Sequence, residues 1–152
     1  MTPFHQAEFM KMMLQLAGSR TGLEIGTFTG LASLCLAEAL PDSGKLITID
    51  TNEKWTEIAK KYWTMAGVSH KIFQKIGPAI EVLEDQVKYY KSNYDFVYID
   101  ADKLNLDSYY EMSLQLVKTG GLIFIDNVLW DSRVVYEAEA VRYHILLFLK
   151  SS

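Results

Sequence analysis

Two short polar clusters hold the residues best equipped for chemistry. Asp100-Ala101-Asp102-Lys103 and Asp126-Asn127 each close a strongly apolar run, at 94–99 and 122–125. Asp100, Asp126 and Asn127 offer hard oxygen donors, which suit Mg²⁺, Mn²⁺ or Ca²⁺ better than zinc, a metal drawn to His and Cys. Lys103 is the nitrogen base of these clusters, and desolvation beside a cation would bring its pKa down far enough to accept a proton. A cation held there would acidify and orient a bound hydroxyl. Vicinal hydroxyls would chelate it, which favours catechol-like acceptors over simple phenols. Asp102 reads as a supporting or solvated residue, and Trp130 as a stacking wall for an aromatic acceptor.

A second constellation lies upstream. Gly26 and Gly30 flank Thr27, Phe28 and Thr29 between a short apolar strand and a helix. Glycine permits close approach of a ligand to the backbone, and the helix start beyond it offers free N–H groups to a carboxylate or phosphate. The spacing G-x-x-x-G departs from the G-x-G-x-x-G of dinucleotide binders, so a nicotinamide cofactor is disfavoured. Asp50 ends the next strand, where an acid can accept ribose hydroxyls. Glu24 precedes the loop and could take an ammonium. An adenosine without a pyrophosphate, as in S-adenosylmethionine, fits this set.

The elements that must position these groups alternate. Helices are expected over 6–16, 32–40, 53–66, 79–90 and 108–117, with strands over 23–25, 45–49, 71–75, 94–99 and 122–125. Asn52 is a candidate cap and Gly67 a stop for the third helix. The stretch 118–121 reads as a turn before the last of these strands. Such alternation predicts an α/β fold with a doubly wound, mostly parallel sheet and helices on both faces. Ligands of such sheets bind at the carboxyl ends of the strands, where both clusters fall. The tail, 134–150, reads as a final helix, and its run 145–149 is apolar all round, so it needs burial or an interface.

The chain has 152 residues, 49% apolar and 22% charged, which fits one domain over 1–152 with an atypical segment at 136–152. A net charge of −4 gives no bulk attraction for nucleic acid or an anionic membrane. No apolar run reaches the ~20 residues of a membrane span. The single Cys35 fits a reducing cytoplasm and is expected to be buried. His5, His70 and His144 lack metal-ligand spacing. Tyr62, Trp63, Tyr89, Tyr90, Tyr109 and Tyr110 read as packing residues.

Three motifs in order carry a family likeness. Leu23-Glu24-Ile25-Gly26-Thr27-Phe28-Thr29-Gly30, Ile99-Asp100-Ala101-Asp102-Lys103 and Gly120-Gly121-Leu122-Ile123-Phe124-Ile125-Asp126-Asn127-Val128-Leu129-Trp130 resemble the cation-dependent O-methyltransferases of the caffeoyl-CoA and catechol type. The resemblance implies a seven-stranded Rossmann-like methyltransferase fold with S-adenosylmethionine as donor. It implies that Glu24 faces the methionine part of the donor and that Gly26, with Thr27, Phe28 and Gly30, admits it. Asp50, with Thr51 beside it, would hold the ribose. Ala79, after Gly77-Pro78, would lie near the adenine, and Thr2 matches a donor-contacting threonine. Asp100, Asp126 and Asn127 would hold the metal, Asp100 also facing the donor, and Lys103 would be the general base.

There are departures from the pattern. Ala32 stands where a serine hydroxyl usually meets the donor carboxylate, and Ser33 one position on is expected to point elsewhere. Leu106 replaces a usual tyrosine, and Asp131-Ser132 stands where a residue followed by Gly is preferred. The resemblance also implies further helices before the matched region and two more strands after it, so the chain reads as shortened at both ends. The leading expectation is a cytoplasmic enzyme, a metal-dependent O-methyltransferase acting on a small vicinal-dihydroxy aromatic. A homodimer is expected from the resemblance and the apolar tail. The alternatives are methylation of a hydroxylated tRNA base, using a basic group of Lys71, Lys75, Lys88 and Lys91, or a shortened S-adenosylmethionine-binding protein without catalysis.

Overall fold

The run Tyr94–Ile99 shows why the chain layers as it does. Phe96 and Tyr98 point to one side of the strand and Val97 and Ile99 to the other, and all of them are buried. A strand apolar on both faces must be covered on both, as in parallel sheets flanked by helices. In the computed structural model, which describes residues 2–127 and 145–150, Phe96 and Tyr98 join Met10, Leu14, Leu36, Trp63 and Phe124 in one core. Val97 and Ile99 join Leu23, Ile25, Leu83, Leu116 and Ile123 in the other.

The elements follow in the order α1 (Phe4–Leu16), β1 (Thr21–Ile25), α2 (Leu31–Ala39), β2 (Lys45–Asp50), α3 (Glu53–Met65), β3 (Ile72–Ile76), α4 (Ala79–Tyr89), β4 (Tyr94–Ile99), α5 (Leu106–Leu116), β5 (Val117–Asp126) and β6 (Ile145–Leu149). The sheet order is β3-β2-β1-β4-β5-β6. All neighbouring pairs are parallel except β5–β6, which is antiparallel. This is the expected α/β, mostly parallel architecture; the described residues hold six strands against the seven that the resemblance implies. Asn52 caps α3 by accepting the amides of Lys54 and Trp55, and Gly67 follows that helix at φ +73°.

Four expectations are corrected. The run 145–149 is a strand, not part of a helix: Leu149 opposes Leu122 and Ile145 opposes Asp126, so β6 covers what would be an open edge of β5. A contiguous apolar run has no helical period to distinguish it from a buried strand, which is why the pattern misled. The remainder of the expected tail helix lies outside the described residues. The stretch 118–121 is not a separate turn but part of β5, where the register jumps between Tyr94 and Phe96 on the facing strand. Lys71 belongs to a 3₁₀ turn, Ser69–Lys71, rather than to β3, and its buried ammonium donates to the carbonyls of Ala37 and Leu40 at 3.1 and 2.8 Å. Tyr62, Tyr89 and Tyr90 are exposed rather than packed, whereas Trp63, Tyr109 and Cys35 are buried.

Candidate active site at the carboxyl edge of the sheet

Strand register gathers the candidate residues. Ile25 pairs with both Ile49 and Ile99, Ile99 with Ile125, and Asp50 with Ile76. The residues immediately beyond those pairs (Gly26, Gly77, Asp100 and Asp126), together with Asp50, therefore share one edge of the sheet. The bonds from Gly26 N to Ile49 O, Asp100 N to Ile25 O and Gly77 N to Asp50 O, at 2.9, 2.8 and 3.0 Å, carry the ladder past the strand ends and fix that alignment.

The glycine loop is pinned from three sides. Asp50 Oδ2 accepts the amides of Thr27 and Phe28 at 3.0 and 2.8 Å, and Oδ1 that of Asn52 at 2.8 Å. Asp50 thus binds the loop itself, a role its position as a ribose acceptor did not reveal. Gly26 has φ +96°, and a Cβ there would fall 2.0 Å from the main-chain oxygen of Asp100. Only glycine lets β1 and β4 close at this point. Gly30 caps α2 in the left-handed region, and its carbonyl accepts Trp63 Nε1 at 3.0 Å. Trp63, read as packing alone, is therefore an anchor of the loop. A concavity open to solvent lies along it, lined by Thr2, Gly26, Thr27, Phe28, Gly30, Ala32 and Asp100 among others.

Glu24 forms the floor beneath the loop. It is fully buried, and its Oε2 accepts hydroxyls from Ser33 and, at 2.6 Å, from Thr48, which in turn meets Thr27 Oγ1. Ser33 does point away from the cleft, as its place on the helix implied, but its hydroxyl holds Glu24. Burial pushes the Glu24 carboxyl up to about 8 against those two hydrogen bonds, and the charges of Asp100 and Asp50 add to the rise. Glu24 Oε1 has no hydrogen-bond partner. A buried acceptor left open beneath a loop whose Gly26 tolerates no Cβ, beside the first amides of α2, fits the ammonium and carboxylate of an amino-acid-bearing donor. Thr51 and the Gly77-Pro78-Ala79 segment extend the same edge past β2 and β3, with Ala79 opening α4.

The acidic half sits over β4 and β5. Asp126 is 2% exposed; its Oδ2 accepts the Tyr98 hydroxyl at 3.0 Å and its Oδ1 the Asn127 amide at 2.7 Å. Asn127 has φ +56°, a conformation asparagine tolerates, and its Nδ2 reaches Asp100 Oδ1 at 3.4 Å. Thr2 Oγ1 lies 2.8 Å from the Tyr98 hydroxyl and 3.3 Å from Asp100 Oδ2. Desolvation, and then the charge of Asp126, holds Asp100 above the usual carboxylate range, and Thr2 and Lys103 oppose the rise. Lys103 Nζ donates to the main-chain oxygen of Asp126 at 2.8 Å. Asp102 points to α5, accepting Asn105 N and, at 2.6 Å, the Tyr109 hydroxyl, so it fixes the segment that carries Lys103. Among the described residues no three His, Cys, Asp or Glu side chains converge, so any cation set here needs the Asn127 amide as its third group. A buried carboxylate at Asp126, a half-buried one at Asp100 and an amide beside them fit a hard cation. Trp130 lies outside the described residues.

Thr2, the glycine loop, Asp50, Asp100, Lys103, Asp126 and Asn127 are thus on one edge. The basic group required for tRNA is depleted, since Lys71 is buried under α2. No helix among the described residues is long and apolar enough to cross a membrane. Tyr98 and Thr48 are the residues that sequence reasoning passed over, because a tyrosine or a threonine inside an apolar strand carries no signal of its own.

Comparison with known proteins bears on the family and on the methyl donor. A probable caffeoyl-CoA O-methyltransferase 2 of Dictyostelium discoideum is 44% identical over 135 residues, covering 88% of this chain and 58% of the relative. Caffeoyl-CoA O-methyltransferase 2 of Petunia hybrida is 41% identical over 150 residues, covering 94% and 62%. The chain therefore spans about three fifths of the length of these curated relatives. Among solved structures, TomG of Streptomyces achromogenes in complex with SAM superposes with a TM-score of 0.85 at 31% identity, covering 91% of this chain and 62% of that one. The Bacillus cereus O-methyltransferase in complex with SAH superposes with a TM-score of 0.83 at 31% identity, covering 89% and 61%. The family model described as O-methyltransferase matches residues 1–150, and the chain belongs to that family.

Proposed function

We propose that this edge binds S-adenosylmethionine along the glycine loop and transfers its methyl group to one hydroxyl of a vicinal-dihydroxy aromatic held at a divalent cation. The observation that carries the reading is the place of Lys103 Nζ, 2.8 Å from the main-chain oxygen of Asp126 and beside the Asp100–Asp126 pair. A base, two carboxylates and the glycine loop share one edge of the sheet.

In this reading Asp100, Asp126 and Asn127 hold the cation, Mg²⁺ being the first choice, with Mn²⁺ or Ca²⁺ as substitutes. When bound, it lowers the pKa of the acceptor hydroxyl and fixes its direction. Lys103 takes the proton of that hydroxyl. The oxygen then forms its bond to the methyl carbon as the carbon–sulfur bond breaks and the electron pair returns to sulfur, leaving S-adenosylhomocysteine. Glu24 and the first amides of α2 orient the amino-acid part of the donor. Asp50 and Thr51 meet the ribose, Gly77, Pro78 and Ala79 border the adenine, and Thr2 closes the cleft over Asp100. Trp130 would wall the acceptor. The names of the relatives support an aromatic acyl acceptor of the caffeoyl type, and the two SAM- and SAH-bound neighbours support the donor.

Calorimetric titration of S-adenosylmethionine with Mg²⁺ or with EDTA, followed by caffeate and catechol methylation on the same samples, tests the reading. Donor binding with turnover that EDTA abolishes is the expected result. Turnover indifferent to EDTA overturns the cation, and absence of donor binding overturns the methyltransferase reading for this chain.

A further inference from the structure

The two carboxylates of the acidic half are joined by a chain of hydroxyls that the transfer chemistry does not use. Tyr98 is fully buried on β4, and Asp100 lies two residues beyond it, so their side chains leave the strand on the same side. The Tyr98 hydroxyl donates to Asp126 Oδ2 at 3.0 Å. With its one proton committed there, the phenol oxygen can only accept, and Thr2 Oγ1 at 2.8 Å is the donor available to it. Thr2 Oγ1 is also 3.3 Å from Asp100 Oδ2, so its proton is shared between Tyr98 and Asp100. The result is a continuous path, Asp126–Tyr98–Thr2–Asp100, in which Thr2 is 4% and Tyr98 0% exposed.

We propose that Tyr98 is a positioning residue for the cation site: its hydroxyl, relayed by Thr2, holds Asp126 and Asp100 by their Oδ2 atoms with the remaining lone pairs directed to a common centre. The inference rests on the reading that Asp100, Asp126 and Asn127 hold a divalent cation. Its physical content is the rotation of two carboxylates. Each can turn about χ2, and a ligand pair free to turn loses order that binding must restore. A buried hydroxyl removes that freedom beforehand, as partners of metal ligands do elsewhere. Apolar packing alone would explain a phenylalanine at position 98, but not a phenol that donates to Asp126 and meets Thr2, the neighbour of Asp100.

The test is Mn²⁺ binding followed by electron paramagnetic resonance and calorimetry on the whole chain, comparing wild type with Tyr98→Phe, which keeps the ring and its packing. The expected result is a rise in the Mn²⁺ dissociation constant of about 10–100-fold with S-adenosylmethionine affinity unchanged. Thr2→Val should weaken Mn²⁺ binding as well, and Thr2→Ser, which keeps the hydroxyl, should restore it; this pair decides the matter should Tyr98→Phe fail to fold. Equal Mn²⁺ affinity in wild type and Tyr98→Phe, or in the two Thr2 variants, overturns the inference alone. A wild-type chain that binds no Mn²⁺ overturns the cation reading and this inference with it.

Discussion

Lys103 and Glu24 are the two side chains whose protonation carries distinct consequences. In the proposed chemistry Lys103 accepts a proton at the moment of methyl transfer, so Lys103→Met, which keeps the length and removes the base, should lower kcat by about 10²–10⁴-fold. Donor affinity should stay unchanged, because Lys103 touches Asp126 and not the glycine loop. Single-turnover kinetics beside calorimetry separates the two quantities. Glu24 makes a different prediction, one of stability. Burial raises its folded-state pKa from 4.5 to about 8. A carboxyl raised on folding favours the native state fully below the unfolded pKa, and that contribution is lost as pH climbs through the folded one. Thermal denaturation of the donor-free protein between pH 4.5 and 8 should therefore show wild type losing stability as pH rises. Glu24→Gln, which cannot ionise, should flatten that slope, and an equal slope in both would mean that Glu24 is not the titrating group.

At the scale of the elements, the site is a property of strand ends. The loop between β1 and α2 is shaped by Asp50 from β2, by Trp63 from α3 and by the backbone of Asp100 after β4. Gly26→Ala should accordingly act at a distance. Positive φ alone costs a non-glycine residue about 1–3 kcal/mol, and the contact with Asp100 O adds to it. Relief requires β1 and β4 to part, so melting temperature and both ligand affinities should fall together. A variant that loses donor binding while keeping cation binding would show that the loop moves independently of the acidic half. Much of this was legible in the sequence. The apolar runs with polar ends gave β4 and β5, and Asn52 and Gly67 framed α3, because these are local signals of burial period and capping. Two kinds of feature were not legible. Asp50 as a loop clamp and Trp63 as an anchor depend on contacts across 23 and 33 positions, which no local pattern encodes. β6 was hidden because its five apolar residues carry no period, and only the uncovered flank of β5 decides that they extend.

For the molecule as a whole, the sheet has two poles of opposite character. The carboxyl pole gathers Glu24, Asp50, Asp100 and Asp126, which are met by hydroxyls and main-chain amides. At the amino pole a single acid is fully answered: Asp95 on β4 accepts the amides of Arg20 and Thr21, each at 2.8 Å, the Thr21 hydroxyl, and Lys118 of β5 at 2.9 Å. Desolvation pushes the Asp95 carboxyl up, but the bonds from Lys118, Arg20 and Thr21 outweigh it and leave the pKa lowered. A carboxyl lowered on folding stabilises the native state above its unfolded pKa and loses that effect as pH falls through the folded value. Asp95→Asn should cost about 1 kcal/mol at neutral pH after solvent screening. The difference from wild type should shrink in acid, below the ordinary value of 3.8. Urea denaturation at both pH values checks this, and a deficit independent of pH would assign the effect to shape rather than charge.

The strand order also dictates a timetable. β1 finds β2 after a short excursion, but its other neighbour, β4, comes much later: the bond between Thr21 and Asp95 spans 74 positions. During synthesis the half-sheet β3-β2-β1 can assemble first, with the glycine loop already tied to Asp50 and one flank of β1 still bare. At that stage the loop has no Asp100 backbone behind Gly26 and no Tyr98 or Asp126 across the seam. The cleft is therefore completed late, when β4 docks on β1 and β5, carrying Asp126, follows it onto β4. On the proposed function, a donor that needs both halves of the cleft binds only the completed sheet and so draws late intermediates toward completion.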